Sequence, residues 1–227
     1  MSTPSTAPAD SLVSRLAALD TPTLSDALDR AGLPGVVLGL HALSEQARIA
    51  GRAVTVLLGP ADGKPRDRHL CSAAVEAAGP GQVIVIAHHG RTDAAGWGGL
   101  LSLSASVRGI EGVVIDGACR DVDESRELGL PVYGRAGVPV SARGRVVEVD
   151  WDVPVPIGEL TVAPGDLVMA DGSGVVIVAA ADAETVLGHA EQIAARERAM
   201  ARAIRAGHPV SQVMGGNYET MTRREDT

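Results

Sequence analysis

The sequence predicts an α/β fold, an α/β/β/α sandwich with mixed strands in two layers and helices outside them. Three observations predict it. Apolar, β-branched runs of strand length at residues 48–58, 83–87 and 113–115 alternate with helical segments. From Leu130 the pattern changes to short strands punctuated by Gly and Pro, PVYGRAG, GRVVEVDWDVPVPIGELTV and DLVMADGSGVVIVAA, which suggests a predominantly β layer. Residues 182–205 then place Val186, Leu187, Ala190, Ile193, Ala194 and Met200 at helical spacing on an otherwise polar segment, a helix that packs on its own sheet or on a neighbouring subunit.

The elements follow in order. Residues 1–10, rich in Pro, Ser, Thr and Ala, have the makeup of a disordered leader, and residues 11–227 form one domain with a C-terminal helix. Residues 11–19 and 21–31 read as helices, the second with Asp26 and Asp29 on its polar side and ended by Gly32. A core strand over 48–58 leads into a charged, solvated loop, GPADGKPRDRH. Asp67 is placed to cap a helix through Ala78. Gly79-Pro80-Gly81 turns the chain into the strand at Val83, and a polar loop, HHGRTDAAGWGG, connects that strand to a helix over 100–107 that ends at Gly109. The strand at 113–115 stops at the turn signal Asp116-Gly117. Asp121 and Glu124 then fit a capping box, and Gly129 a left-handed C-cap. Asp171-Gly172-Ser173-Gly174 is a hairpin signal, and the tail from Ser211 is expected to be loosely ordered.

Candidate chemistry gathers after two of these strands, where open α/β sheets place their ligands. Arg120 and Asp121 stand side by side there. Asp121 caps the helix with Arg120 as a surface partner, or Arg120 forks a planar carboxylate while Asp121 offers an oxygen to a hard divalent cation. The upstream turn favours the second reading. Gly96, Gly98 and Gly99 let the backbone approach a ligand, and the first amides of the following helix lack intrahelical acceptors and attract anions. If the two βα units lie side by side, both turns open on one edge of the sheet.

Trp97-Gly98-Gly99-Leu100-Leu101, twenty intervening residues between Gly99 and Arg120, and Arg120-Asp121-x-x-Glu124 resemble the signature of the RraA-like family. That family includes class II 4-hydroxy-4-methyl-2-oxoglutarate / 4-carboxy-4-hydroxy-2-oxoadipate aldolases and regulators of ribonuclease E activity. The likeness extends from TLSDALDRAG through Gly51-Arg52-Ala53-Val54-Thr55-Val56 to Pro164-Gly165-Asp166 and Asp171-Gly172-Ser173-Gly174-Val175. It implies the swivelling β/β/α fold of the phosphohistidine domain, assembled as a homotrimer or homohexamer with sites at subunit contacts. It also implies a lyase that cleaves or decarboxylates a small 2-oxo acid, such as oxaloacetate, through a pyruvate enolate. By motif position Asp121 holds Mg²⁺ or Mn²⁺, Arg120 clamps the substrate, and backbone amides from Gly98 to Leu101 cradle a carboxylate. Glu124 would orient a metal-bound water. The aldolases commonly carry an acid where this chain has Gly99, which shifts the expectation toward a decarboxylase or a weak aldolase. His88 and His89 are candidates for the missing base, the alternative being a solvated loop pair. Glu197 on the C-terminal helix is a candidate for a supporting acid that reaches the site across a subunit contact, as the resemblance implies, the alternative being a salt-bridged surface with Arg196 and Arg198. A different class of reading is a non-catalytic, protein-binding regulator.

Composition narrows the classes. Twenty basic against 28 acidic side chains give a net charge of −8, a field that repels phosphate polymers, and the absence of Phe with only two Trp and two Tyr removes stacking platforms. Nucleic acid is therefore not an expected partner, and without an apolar run of spanning length neither is a membrane. Two cysteines, Cys71 and Cys119, with no signal peptide and no apolar run of spanning length, point to a reducing, cytoplasmic setting, and Cys119 reads as a small buried residue rather than a nucleophile.

Overall fold

The computed structural model describes residues 10–45, 47–63 and 68–215. In chain order the helices are α1 (Ser11–Ala17), α2 (Thr21–Ala31), α3 (Ser72–Ala77), α4 (Gly99–Val107), α5 (Val122–Glu127), α6 (Ala183–Arg205) and α7 (Val210–Val213). The strands are β1 (Val36–Val37), β2 (His41–Ala42), β3 (Ile49–Pro60), β4 (Gln82–Trp97), β5 (Gly112–Cys119), β6 (Val132–Gly134), β7 (Ala136–Gly137) and β8 (Val146–Trp151). They continue with β9 (Val155–Ile157), β10 (Leu160–Val162), β11 (Leu167–Asp171) and β12 (Gly174–Val178). The leader through Ala9, the cap assigned to Asp67 and the tail beyond Gly215 lie outside the described residues. Asp10, counted with the leader, caps α1 by accepting from the amides of Leu12 and Val13. No helix among the described residues is long and apolar enough to cross a membrane.

The mixed α/β character is as the periodicity predicts, but the strands counted as two layers are hydrogen-bonded into one sheet. Ten strands join it among the described residues, in the order β1-β12-β11-β3-β4-β5-β6-β2, with β7 beside β5 and β8 beside β3. Its centre is parallel, with Val54 opposite Ile84 and Ile84 opposite Val113; β11 and β8 add to β3 antiparallel. The β9–β10 hairpin stands apart.

Side-chain alternation along each strand divides the core. On one face Val83, Val85, Val114, Val168 and Val175 join Val155, Ile157 and Val162 of the separate hairpin. On the other face, Ile84, Ile86, Val113 and Ile115 pack under α3 and α4, while Leu167, Met169, Val176 and Val178 pack under α1, α2 and α6. The long C-terminal helix therefore buries Val186, Leu187, Ala190 and Ile193 against its own sheet. The aliphatic composition serves this arrangement, because β-branched residues fill a pleated surface covered on both sides.

Three boundaries differ from expectation, each for a tertiary reason. β5 runs through Asp116-Gly117 to Cys119, because the Asp116 carboxylate is satisfied in the interior by Arg135 Nε and the Gly158 amide. The polar stretch after Ala87 remains part of β4. It bulges outward with register shifts at Ile86/Arg91 and Arg91/Ala95, then rejoins β5 with Trp97 opposite Cys119. The helix ending near Ala78 is short, and Cys71 precedes it in a left-handed conformation. Gly129 (φ 65°) closes α5 as expected, with the Leu130 amide reaching back to Ser125 O.

Asp116 is 4% exposed and holds two donors. Asp116→Ala should leave Arg135 without its carboxylate and lower the urea-denaturation free energy by roughly 3 kcal/mol; a change below about 0.5 kcal/mol would show that the buried ion pair is not needed.

Candidate active site

Because β4 and β5 are parallel neighbours, the turns that follow them open on the same sheet edge. The Arg120 amide donates to Trp97 O at 3.0 Å, fastening one turn to the other. Beneath them a buried polar chain links α4 and α5. Trp97 Nε1 donates to Ser102 Oγ at 2.8 Å, and Ser102 Oγ lies 2.8 Å from Ser125 Oγ. Both serines are fully buried. Their hydroxyls satisfy an indole N–H that would otherwise be stranded.

Asp121 occupies the residue before α5 but is not the cap that the sequence suggested. Its backbone is left-handed (φ 56°, ψ 41°), and its side chain makes no cap hydrogen bond. Instead Oδ2 accepts from the Gly99 amide and from Arg120 Nε, both at 2.9 Å. A non-glycine residue in this conformation is uncommon, and such outliers concentrate at functional sites. The bonds leave Asp121 Oδ1 and the terminal nitrogens of Arg120 outside this clasp. The Gly99 amide is consumed by it, so the unpaired first-turn amides of α4 are those of Leu100 and Leu101, the first helical bond running from the Ser102 amide to Gly98 O.

The two glycines are required by close approach. A Cβ on Gly98 would come within 3.0 Å of Asp121 Oδ2, and one on Gly99 would lie 1.8 Å from Glu124 Oε2. The Glu124 carboxylate therefore occupies the space that a side chain at position 99 would take. It does not close a capping box, since Asp121 makes no reciprocal bond.

These groups line a cavity of about 600 Å³ bounded by Gly98, Gly99, Leu100, Leu101, Arg120, Asp121 and Glu124, which brings the central candidates together. The same cavity includes Arg68, His69, Ser141, Arg143 and Glu148, which sequence reasoning missed. The charged loop before α3 reads in sequence as solvated, and no local pattern marks residues 141–148. Asp121 and Glu124 side by side, one with an oxygen outside the Gly99–Arg120 clasp, fit a hard cation that keeps several waters and takes one or two carboxylates. Among the described residues no cluster of three or more His, Cys, Asp or Glu is gathered for a metal.

The remaining candidates lie elsewhere. His88 is 1% exposed, its Nε2 rests 2.8 Å from Ala94 O, and burial pushes its imidazole below the usual 6.5. His89 Nε2 is 2.9 Å from Leu58 O. Neither lines the cavity, and a bonded pair in the β4 bulge is the reading that fits. Glu197 is on α6, where burial and then Asp20 and Asp26 push its carboxyl up, and within one chain it is also outside the cavity lining. Burial pushes the Cys119 thiol up to about 11, so it is protonated at neutral pH.

Gly99→Asp is expected to collide with Glu124 and reduce ligand binding in the cavity by at least about tenfold, and Gly99→Asp combined with Glu124→Ala should recover most of it because the space is shared. Additive losses in the double variant would show that the two positions do not compete.

Residues 21–177 match the family model RraA-like, described as Aldolase/RraA. A protein of Halalkalibacterium halodurans provisionally named 4-hydroxy-4-methyl-2-oxoglutarate aldolase is 32% identical over 192 residues, 85% of this chain and 88% of that one. Protein DlpA of Legionella pneumophila is 30% identical over 88% of this chain, which spans only 33% of DlpA. Among solved structures, an uncharacterized protein from Pseudomonas syringae pv. tomato superposes with a TM-score of 0.82 at 33% identity, covering 90% of this chain and 97% of that one. Streptomyces coelicolor RraAS2, described as an unusual member of the RNase ES inhibitor RraA protein family, gives 0.74 at 29% identity over 86% and 98%. With the glycine turn, the Arg120-Asp121 pair and Glu124 in one cavity and the match spanning most of the sheet, this chain belongs to the RraA-like family.

Proposed function

We propose that this chain is a divalent-metal-dependent carbon–carbon lyase that decarboxylates oxaloacetate or cleaves an aldol of the 4-hydroxy-4-methyl-2-oxoglutarate type. The observation that carries the reading is the clasp of Asp121 on Gly99 and Arg120 beside Glu124, within a cavity that also presents unpaired helix amides. Asp121, with Glu124 adjacent, would hold Mg²⁺ or Mn²⁺, and such an ion supplies Lewis-acid polarisation of a keto oxygen. The terminal nitrogens of Arg120 receive the substrate carboxylate, because Nε is engaged by Asp121. The amides of Leu100 and Leu101 donate to the same anion and lie fixed before the reaction, so they stabilise developing charge without reorganisation. Glu124 Oε2 fills the space beside Gly99, and from there it can accept the proton of a substrate hydroxyl during aldol cleavage.

The reading includes assembly as a trimer or pair of trimers, and with it the swivelling-domain likeness and a role for Glu197 across a subunit contact. Leu100, Leu103 and Val107 support it: they form an exposed apolar stripe on α4, 84%, 46% and 80% exposed, that begins at the cavity. Light scattering after size exclusion should give a multiple of three chains, and Leu103→Glu with Val107→Glu should shift it to monomer. A wild-type monomer at micromolar concentration would rule the assembly out.

A protein-binding regulator is the second reading, favoured by the likeness to RraAS2 and by the net charge of −8. Following pyruvate release from oxaloacetate and 4-hydroxy-4-methyl-2-oxoglutarate separates the two. Turnover should require Mg²⁺ or Mn²⁺ and vanish with chelator. Arg120→Ala should lower kcat/KM by about 10²-fold or more, and Asp121→Ala at least as much. Turnover indifferent to chelator would remove the metal, and silence on every 2-oxo acid would favour the regulator.

A further inference from the structure

The cavity contains charged groups that the proposed reaction leaves unused. Arg68 precedes α3 and Arg143 precedes β8, and both guanidinium-bearing residues line the space that holds Arg120 and Asp121. Among the described residues neither forms an ion pair, whereas Arg91, Arg120, Arg126 and Arg135 each hold a carboxylate. The nearby acid, Glu148, is already committed. Its Oε2 accepts the Cys71 amide at 2.6 Å, which ties the turn carrying Arg68, His69 and Leu70 to β8. Cys71 is left-handed there (φ 64°), and His69 Nδ1 lies 2.9 Å from Leu70 O. The wall is therefore held in place by bonds that spare both guanidinium groups.

Two like charges in one cavity, neither paired with the acids Asp121, Glu124 or Glu148 that share it, repel each other and are relieved by an anion. The volume allows one. A three-carbon keto acid displaces only a few water volumes of roughly 30 Å³ each, and the cavity is about 600 Å³. A planar guanidinium fork matches a carboxylate.

We propose that Arg68 and Arg143 are specificity-determining residues that bind a second carboxylate, carried on the end of the substrate remote from the 2-oxo acid group. This rests on the 2-oxo acid reading above. Arg120 takes one end of a dianionic substrate and the Arg68–Arg143 wall takes the other, so chain length and distal charge are read together.

Binding calorimetry with Mg²⁺ present tests it on a matched pair, 2-oxoglutarate and 2-oxopentanoate, which share a five-carbon 2-oxo acid and differ by a distal carboxylate in place of a methyl. The wild-type chain should prefer 2-oxoglutarate by about tenfold or more. Arg68→Gln and Arg143→Gln should each remove most of that preference while leaving 2-oxopentanoate within about twofold, and Arg68→Lys should restore part of it. Both residues are exposed, and an unchanged thermal midpoint confirms that the variants fold. Equal wild-type affinity for the pair, or variants that weaken both ligands alike, overturns the distal role while the 2-oxo acid reading stands. Failure of the wild type to bind either ligand overturns both.

Discussion

The site depends on one carboxylate oxygen with two donors. Asp121 Oδ2 receives the first amide of α4 and the side chain of the preceding arginine, and these bonds hold two separate βα turns at a fixed spacing. The ion pair is partly exposed, with Arg120 and Asp121 side chains 42% and 26% accessible, so its worth lies in geometry more than in stability. Left-handed backbone at Asp121 aims the carboxylate back at Gly99 and not at its own helix. An ordinary capping conformation would satisfy α5 and disassemble the pocket.

The rest of the molecule makes that clasp possible. Parallel pairing of β4 with β5 puts both turns on the same edge, and after register shifts around Arg91 and Ala95 β4 brings Trp97 opposite Cys119. The buried Trp97–Ser102–Ser125 chain then sets the spacing of α4 and α5 from below. Polar groups buried this deeply are costly unless satisfied, so they admit few alternative packings. The aliphatic sheet supplies cohesion, and the serines supply position.

Glycine at position 99 acquires its meaning only in this setting. Read along the chain, it is the loss of an acid. In the fold it is the space into which Glu124 extends from the next helix.

Local sequence determined what short-range forces decide. Periodicity marked α2, α4 and α6 and the cores of β3, β4 and β5, Asp171 to Gly174 marked the β11–β12 turn, and Gly129 marked the end of α5. The two turns, through their resemblance to the RraA-like signature, likewise singled out Gly99, Arg120, Asp121 and Glu124. Only the tertiary structure decided which partners these groups take. Asp116 reads as a turn residue until Arg135 and the Gly158 amide reach it from distant segments, and His88 and His89 read as candidate bases or a solvated loop pair until backbone carbonyls engage them. Arg68, Arg143 and Glu148 carry no local signal at all, since their common cavity is formed by segments some eighty residues apart. Chain connectivity encodes propensity within a turn or two, whereas hydrogen-bond choice and burial depend on which distant surfaces the packed sheet brings into contact.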